Sequence, residues 1–376
     1  MSESTNRALL VLEDGEVFTG VACGALGQSL GELVFNTAMT GHQEILTDPA
    51  CRGQIVVMTA PHVGNTGVNT DDDESRQIWA AGLVARSLSR LASNWRATGT
   101  LSDALVNGQI VGMSEVDTRA VTLHLREHGT MKAGIFSGSG LADPSGRMMA
   151  TEDLIAIVRS GMDAGGVVGE PRVVEAVGEL RANVIAVDLG MRATTAARLA
   201  MRGVRVEVVP RSTTLEEILR HEPDGVVLTS GPGDPACAQG EVELVRGLLG
   251  ARMPLLGIGL GHQVLGRALG FSTSKLPFGH RGANQPVKDL ATGKVRVTTH
   301  HHGYTLEVRV GEPVRAPWAE GRFGSVKVSH LALSDDTVEG LRCHDMPALS
   351  VQFHPEAAAG PVESGGVFEE FVTIMT

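Results

Sequence analysis

The feature that most constrains the fold is a glycine-framed corner between a short apolar run and an amphipathic segment. The apolar run Leu255–Ile258 leads into a Gly257-x-Gly259-x-Gly261 frame. Apolar residues then recur at helical spacing, at Leu260, Val264, Leu265 and Leu269. This order predicts a buried strand, a sharp turn and a helix, the arrangement in which the middle residue of G-x-Nuc-x-G is a nucleophile held over the helix start. In this chain glycine occupies the nucleophile position, so the corner carries no reactive atom.

From residue 183 onward, predicted strands alternate with predicted helices. The strands are expected at 184–187, 204–209, 225–228 and 255–258, and the helices at 194–201, 215–220 and 242–249. Such alternation indicates a mostly parallel sheet flanked by helices, with functional groups at the carboxyl ends of the strands. The 230–233 loop and Gly259 lie at such ends. Later strands are predicted at 295–299 and 349–353, and the second leads directly into His354-Pro355-Glu356.

The preceding part of the chain has a different pattern. Residues 8–140 contain mostly strand-like, glycine-punctuated runs, with helices predicted at 101–108 and 117–128, which indicates a mixed α/β domain. Residues 141–181 are rich in turn residues around one predicted helix, 151–160. The predicted organisation is therefore an N-terminal domain over 1–140, a linker over 141–181 and a second domain over 182–376.

Composition narrows the function classes. The formal charge of −11 and the absence of basic runs argue against a nucleic-acid partner. No segment has the apolar length of a signal peptide or a membrane span, which predicts a cytoplasmic protein without a membrane partner. The four cysteines lack C-x-x-C spacing and are expected to be reduced thiols.

Four longer motifs accompany the corner: NTAMTGHQEILTDP at 36–49, PHVGN at 61–65, SGPGDP at 230–235 and QFHPEA at 352–357. Together they resemble the small, glutaminase subunit of carbamoyl phosphate synthetases, in the class I glutamine amidotransferase family, from residue 8 to the end of the chain. The resemblance implies an N-terminal domain that mainly contacts a large subunit, and a C-terminal class I glutamine amidotransferase domain. It also implies hydrolysis of glutamine and delivery of ammonia for carbamoyl phosphate synthesis, which feeds arginine and pyrimidine biosynthesis. No cofactor is expected in this chain, because ATP and Mg²⁺ would bind the large subunit.

The same resemblance assigns roles to individual residues. His354 would be the general base, Glu356 would orient it, and the backbone N–H groups of Gly231 and Leu260 would stabilise the oxyanion. The positions expected to face glutamine are Ala50, Gly233, Gln263, His301, Gly303 and Tyr304.

Three of these positions depart from the family pattern. Gly259 stands where the family has its nucleophilic cysteine, Ala50 where it has a serine and His301 where it has an asparagine; Tyr304, usually phenylalanine, is a milder change. Three departures around one pocket favour a natural paralogue that has lost glutaminase activity. Cys51 and Cys237 follow pocket motifs, but neither lies on a nucleophile elbow, and a free cysteine is more often an inert apolar residue.

Three hypotheses about function stay open. The chain is the small subunit of a synthetase that depends on free ammonia, or a non-catalytic module that binds a small ligand in the altered pocket, or a variant made to trap glutamine. A metal site at His300, His301, His302 and His262 is not predicted, because adjacent residues on a strand point to opposite faces.

Overall fold

The computed structural model describes residues 7–161, 169–356 and 365–376. The chain divides into two compact units, Met1–Gly165 and Gly166–Thr376. This division falls within the predicted linker 141–181, of which residues 162–168 lie outside the described ranges.

The N-terminal unit is built on a closed barrel of seven strands. The strands are β1 (Arg7–Leu12), β2 (Val17–Gly24), β3 (Gln28–Asn36), β4 (Gln54–Met58), β5 (Gly82–Val84), β6 (Val111–Ser114) and β7 (Met131–Ser137), in the order β1-β2-β6-β5-β4-β3-β7. Antiparallel pairing of β1 with β7 closes the barrel. Four helices accompany these strands: α1 (His42–Leu46), α2 (Leu101–Asn107), α3 (Thr118–His128) and α4 (Thr151–Ser160). The barrel leaves no open strand edge among these seven strands.

Local sequence features account for both ends of helix α3, which was predicted at 117–128. The Asp117 side chain accepts a hydrogen bond from the backbone N–H of Ala120 at the start of α3, and Gly129, with φ 88°, follows its end. Val121 and Leu125 point from α3 into the core. A capping carboxylate, buried apolar residues four apart and a terminal glycine are local features that stabilise such a helix.

The C-terminal unit is organised around one large sheet. Its strands are β8 (Arg172–Val174), β9 (Ala182–Asp188), β10 (Val204–Pro210), β11 (Gly225–Leu228), β12 (Leu255–Ile258), β13 (Ser272–Asp289), β14 (Val295–Glu307), β15 (Val314–Arg315), β16 (Ser325–Ala332), β17 (Val338–Cys343) and β18 (Ala348–Val351). The order is β14-β13-β16-β17-β18-β12-β11-β9-β10-β8, with β15 paired to β16. The five strands β10-β9-β11-β12-β18 are parallel, and the other pairs are antiparallel.

Helices cover both faces of the parallel strands. They are α5 (Ala193–Ala200), α6 (Leu215–Arg220), α7 (Gln239–Gly250), α8 (Leu260–Ala268) and α9 (Gly366–Met375). Val226 and Leu228 of β11 pack with buried residues of α7 and α8 on one face, while Val227 packs with residues of α5 and α9 on the other. Strands buried on both faces explain the continuous apolar runs from which the parallel sheet was predicted, and the predicted fold class is confirmed.

Within the described residues, no helix combines the length and apolar character needed to cross a bilayer.

Candidate active site

The predicted corner between β12 and α8 is present, with Gly259 at its apex. Gly259 has φ 57° and ψ −111°, and its N–H donates a hydrogen bond to the carbonyl oxygen of Val351 at 3.0 Å. A residue with a side chain is strained at such a positive φ, whereas glycine adopts it without steric cost. The corner therefore has the backbone of a nucleophile elbow.

The space around the three glycines differs sharply. A Cβ atom added to Gly257 would lie 2.6 Å from the carbonyl oxygen of Gly261, and one added to Gly261 would lie 2.2 Å from that of Leu228. A Cβ on Gly259 would have the Cβ of Ser230 at 3.1 Å as its nearest neighbour, and no carbonyl oxygen of the described residues beyond its chain neighbours would lie closer than 4.0 Å. The backbone thus excludes side chains at both flanking positions and accommodates one at the centre after a small adjustment.

The two predicted oxyanion donors lie on neighbouring strand ends. Leu260 is the first residue of α8, so its N–H has no partner within the helix and stands at the positive end of the helix dipole. Gly231 follows β11, which pairs with β12, and a Cβ there would lie 2.0 Å from the carbonyl oxygen of Leu189. Gly233 has φ 109° and open space around its Cβ position. The assigned roles of these residues in binding stay predictions.

His354 and Glu356 form a buried pair just beyond β18. The N–H of His354 donates to the carbonyl oxygen of Thr299 at 2.8 Å, and this contact ties the segment to β14. His354 Nδ1 lies 3.6 Å from Glu356 Oε2, and both residues are 1% exposed. The hydroxyl of Thr195 donates to Glu356 Oε1 at 2.5 Å, and Arg198 Nε donates to the Glu356 carbonyl oxygen at 3.1 Å. Helix α5 therefore holds the carboxylate in place.

The electrostatic surroundings keep Glu356 ionised. Burial alone would raise its pKa, but the neighbouring imidazole of His354, the charge of Arg192 and the hydrogen bond from Thr195 lower the pKa of Glu356 to about 2. An anionic carboxylate beside Nδ1 favours the tautomer of His354 that carries its proton on Nδ1 and leaves Nε2 free to accept one. The pair can therefore act as an oriented general base.

We expect Glu356→Gln to lower the melting temperature at pH 7 and to have less effect in acid. Since the folded-state pKa of Glu356 lies below its unfolded value, the stability it contributes is present above about pH 4.5 and is lost as the pH falls towards about 2. Thermal unfolding of both proteins at pH 7 and pH 3 tests this, because the difference between the two melting temperatures should be clearly smaller at pH 3 than at pH 7. A difference that stays constant between the two pH values would contradict the assignment.

His301 lies on β14 and shares its electrostatic surroundings with two arginines that the sequence analysis did not identify. Arg281 is its partner across the β13–β14 pair, and Arg192 is a 98% buried residue just after β9. Burial, followed by the charges of Arg281, His354 and Arg192, holds the pKa of His301 well below its ordinary value. His301 is therefore neutral at physiological pH. The position of Arg192 just after the carboxyl end of β9 was the signal that could have identified it.

The predicted positions on α8 and β14 are connected by one side chain. Gln263 Nε2 donates to the carbonyl oxygen of Tyr304 at 2.9 Å and to Gln352 Oε1 at 2.8 Å. A Cβ on Gly303 would lie 3.2 Å from Arg281 Nη2, so the backbone at Gly303 passes close to this guanidinium group. The structure thus brings Gln263, Gly303 and Tyr304 into one connected region with His301.

Ala50 and the two cysteines considered in the sequence, Cys51 and Cys237, lie in short turns. Ala50 belongs to the N-terminal unit, where it is buried in the turn Pro49–Cys51 and its N–H donates to Asp48 Oδ1; its role towards glutamine stays a prediction. The thiol of Cys51 is buried and donates to the carbonyl oxygen of Ile45. Cys237 ends the short turn Pro235–Cys237 and is exposed. Neither cysteine lies on a strand-to-helix corner.

A parallel sheet with a strand–glycine–helix corner and a buried histidine–glutamate pair beyond a strand end defines the C-terminal unit as a class I glutamine amidotransferase domain. The profile of that family, glutamine amidotransferase class-I, matches residues 185–374, and the profile of the carbamoyl-phosphate synthase small chain, CPSase domain, matches residues 10–135. The chain belongs to the carbamoyl phosphate synthase small chain family.

Relatives described as carbamoyl phosphate synthase small chain match over almost the full length. The protein from Bifidobacterium longum is 50% identical over 98% of this chain and 94% of its own length. That from Streptomyces coelicolor is 49% identical over 98% and 96%, and that from Mycobacterium tuberculosis is 51% identical over 98% of both chains.

Proposed function

We propose that this chain is the small subunit of a carbamoyl phosphate synthase whose glutaminase step has been lost, so that the assembly takes its nitrogen from free ammonia. The observation that carries the proposal is Gly259 at the apex of the elbow, in a site that keeps the buried pair of His354 and Glu356.

Glutamine hydrolysis at such a site requires an attacking thiolate, a base, a group that orients the base and donors for the oxyanion. His354 and Glu356 supply the second and third of these, and the N–H groups of Gly231 and Leu260 are our candidates for the fourth. Glycine supplies no attacking atom. In triad enzymes the loss of the nucleophile costs a factor on the order of 10⁶ in kcat, so almost no turnover of glutamine is expected.

Family membership supports the proposed partner. The relatives are small chains, and the N-terminal unit of this chain matches the CPSase domain of that family. We assign to this unit the docking of a large subunit, which would hold the ATP and Mg²⁺ and make carbamoyl phosphate for arginine and pyrimidine biosynthesis. In this assembly the present chain would stabilise or regulate its partner without feeding it ammonia.

A second candidate function is ligand binding without catalysis. The charges of Arg192 and Arg281 act on neutral His301, a setting suited to a small carboxylate such as glutamine. Calorimetry with glutamine at two temperatures distinguishes this candidate, because a binding module or a glutamine trap should give a saturable heat signal at one of them, while an ammonia-dependent subunit need not.

The test of the main proposal is reconstitution with the cognate large subunit. We expect carbamoyl phosphate to form from ammonium, ATP and bicarbonate, and the rate with glutamine to equal the rate without a nitrogen source. Mixing the same large subunit with a small chain that has a cysteine at the position of Gly259 provides a positive control for glutamine use. Equal rates from glutamine and ammonium would refute the loss of glutaminase activity.

A further inference from the structure

A second group of functional side chains lies on the antiparallel part of the sheet. His280 on β13, His300 and His302 on β14, and Glu339 on β17 each place one metal-binding atom within 4.8 Å of the others, and all four residues are buried. His300 and His302 are two residues apart on one strand and therefore share a face of the sheet, while His301 points to the other. The cluster thus gathers three imidazoles and one carboxylate from three strands.

Four separations between candidate donor atoms, counting both oxygens of Glu339, are close to those of a tetrahedral coordination shell. His300 Nδ1 lies 3.1 Å from His302 Nε2 and 3.5 Å from Glu339 Oε2. His280 Nδ1 and His302 Nε2 lie 3.5 Å and 3.6 Å from Glu339 Oε1. For metal–nitrogen bonds of about 2.0–2.1 Å, tetrahedral geometry separates neighbouring ligand atoms by about 3.3 Å. These four separations lie within about 0.3 Å of that value.

Partners outside the cluster fix two of the imidazoles with their lone pairs turned inward. His280 Nε2 lies 2.8 Å from Asp335 Oδ2, and because a carboxylate only accepts, this nitrogen carries the proton. His302 Nδ1 lies 2.9 Å from the carbonyl oxygen of Tyr304, which also requires a donor. The nitrogens that face the cluster, His280 Nδ1 and His302 Nε2, are thereby left as acceptors.

A relay of two hydrogen bonds fixes the third imidazole. The Thr298 hydroxyl donates to the carbonyl oxygen of Gln285 at 2.9 Å, so its oxygen is left to accept from His300 Nε2 at 2.7 Å. His300 Nδ1 is then the acceptor that faces the cluster. Outer partners that orient the imidazoles in this way are the usual second shell of a histidine metal site.

Four acceptors therefore converge in a buried space. Among the described residues, His280 Nδ1 and Glu339 Oε2 have no hydrogen-bond partner, although both atoms are buried. Converging lone pairs and a carboxylate repel one another unless they share a positive charge. A positive charge within the cluster, carried by a metal ion or by a proton, would relieve this repulsion.

We propose that His280, His300, His302 and Glu339 bind one divalent transition-metal ion, with Zn²⁺ as the best fit, in a closed tetrahedral site. Three imidazole nitrogens with one carboxylate oxygen form a donor set suited to Zn²⁺. Four protein ligands leave no open position for a water molecule or substrate, so the ion has a structural role. It would fasten β13, β14 and β17 together behind the β14 segment that carries His301.

No metal site was expected from the sequence, because adjacent residues on a strand point to opposite faces. This alternation correctly separates His301 from its two neighbours, but it leaves His300 and His302 on one face. His280 and Glu339 are distant in sequence and join the cluster only through the pairing of strands.

A proton is the competing source of positive charge. Burial opposes the charged form of His280, but the hydrogen bond to Asp335 and the nearby carboxylates of Glu339 and Asp335 outweigh it and raise the pKa of His280 to about 9. A protonated His280 could then donate to Glu339 in place of a metal. The two explanations differ in metal content and in the response to chelators.

The test is a zinc titration of the full chain after removal of metals with a chelator, using a competing metal indicator. We expect one Zn²⁺ per chain, a rise in melting temperature on binding, and the visible absorption of tetrahedral Co²⁺ when cobalt replaces zinc. The double variant His300→Gln/His302→Gln should lose the binding, and His301→Asn, on the same strand but the other face, should retain it.

Asp335→Asn provides a second test in case the His300→Gln/His302→Gln variant does not fold. The Asp335 side chain is 41% exposed and touches His280 from outside the cluster, so the change should leave the fold intact and weaken zinc binding by about 10- to 100-fold. If the wild-type chain binds no zinc, or if it binds zinc as tightly after His300→Gln/His302→Gln, the metal site is refuted. The first of these results would assign the positive charge to a proton on His280. None of these measurements depends on glutaminase activity or on the large subunit.

Discussion

The combined reversion Gly259→Cys, Ala50→Ser and His301→Asn should give this chain glutaminase activity. The elbow backbone, the His354–Glu356 pair and the start of α8 are already in place, so a thiol at residue 259 would stand at the N-terminus of α8. We expect glutamate release to rise by a factor on the order of 10⁶ over the unaltered chain, the factor associated with a triad nucleophile. A coupled assay of glutamate, with and without the large subunit, measures it.

The matched control is the same triple change with Gly259→Ala in place of cysteine. It adds a Cβ atom at the same strained backbone position and carries the same changes at residues 50 and 301, but it has no sulfur at residue 259, so it should be as inactive as the unaltered chain. Mass spectrometry should find a covalent glutamyl adduct on the cysteine form alone. An active alanine form, or an adduct on the unaltered chain, would show that another group attacks glutamine and would overturn the proposal.

The reversion should also have a measurable stability cost. A non-glycine residue at φ 57° costs about 1–3 kcal/mol, and the added Cβ must move slightly away from Ser230. We expect the cysteine and alanine forms to melt at similar temperatures, both below the unaltered chain. Equal melting temperatures would show that the stability cost comes from a Cβ atom at this backbone conformation and not from the sulfur atom.

The sequence predicted the parts of the molecule that local chemistry determines. The run Leu255–Ile258 and the glycine frame after it define a strand and a corner within seven residues, and the structure has both at those positions. The helices Thr151–Ser160 and Leu215–Arg220 were likewise predicted with their observed bounds. Capping residues and apolar periodicity act within one or two turns, and one sequence contains that information.

Features that depend on distant pairing were not predicted. β13 has eighteen residues with few apolar ones, so its alternation does not resemble that of a strand with one buried face, and its course is fixed by β14 and β16. Glu339 is 0% exposed, although a lone glutamate is normally predicted at the surface. Its burial is understandable only beside His280, His300 and His302, which reach it through three strands. The barrel of the N-terminal unit was missed for the same reason, since its closure by β1 and β7 joins strands more than one hundred residues apart.

A side chain added at Gly261, next to the corner, should destabilise the protein far more than one added at Gly259. We expect Gly261→Ala to destabilise the C-terminal unit by about 3 kcal/mol, at the upper end of the usual cost of overpacking, because the new methyl group would lie 2.2 Å from the carbonyl oxygen of Leu228. That oxygen belongs to the backbone of β11, buried between two layers of helices, so it cannot move aside as a side chain would. For a unit of this size the change corresponds to a fall in melting temperature of about 6–12 °C, measurable by differential scanning calorimetry.

Gly240→Ala is the matched control, since Gly240 is exposed near the start of α7 and has nothing within 4 Å of its Cβ position. The same chemical change there should leave stability unchanged or raise it by up to about 1 kcal/mol, because alanine reduces the entropy of the unfolded chain and favours the helix. If Gly261→Ala were as harmless as Gly240→Ala, α8 would not approach β11 as closely as described. The elbow would then lose its rigid support, and with it the reason to expect that a cysteine at residue 259 would be held in position to react.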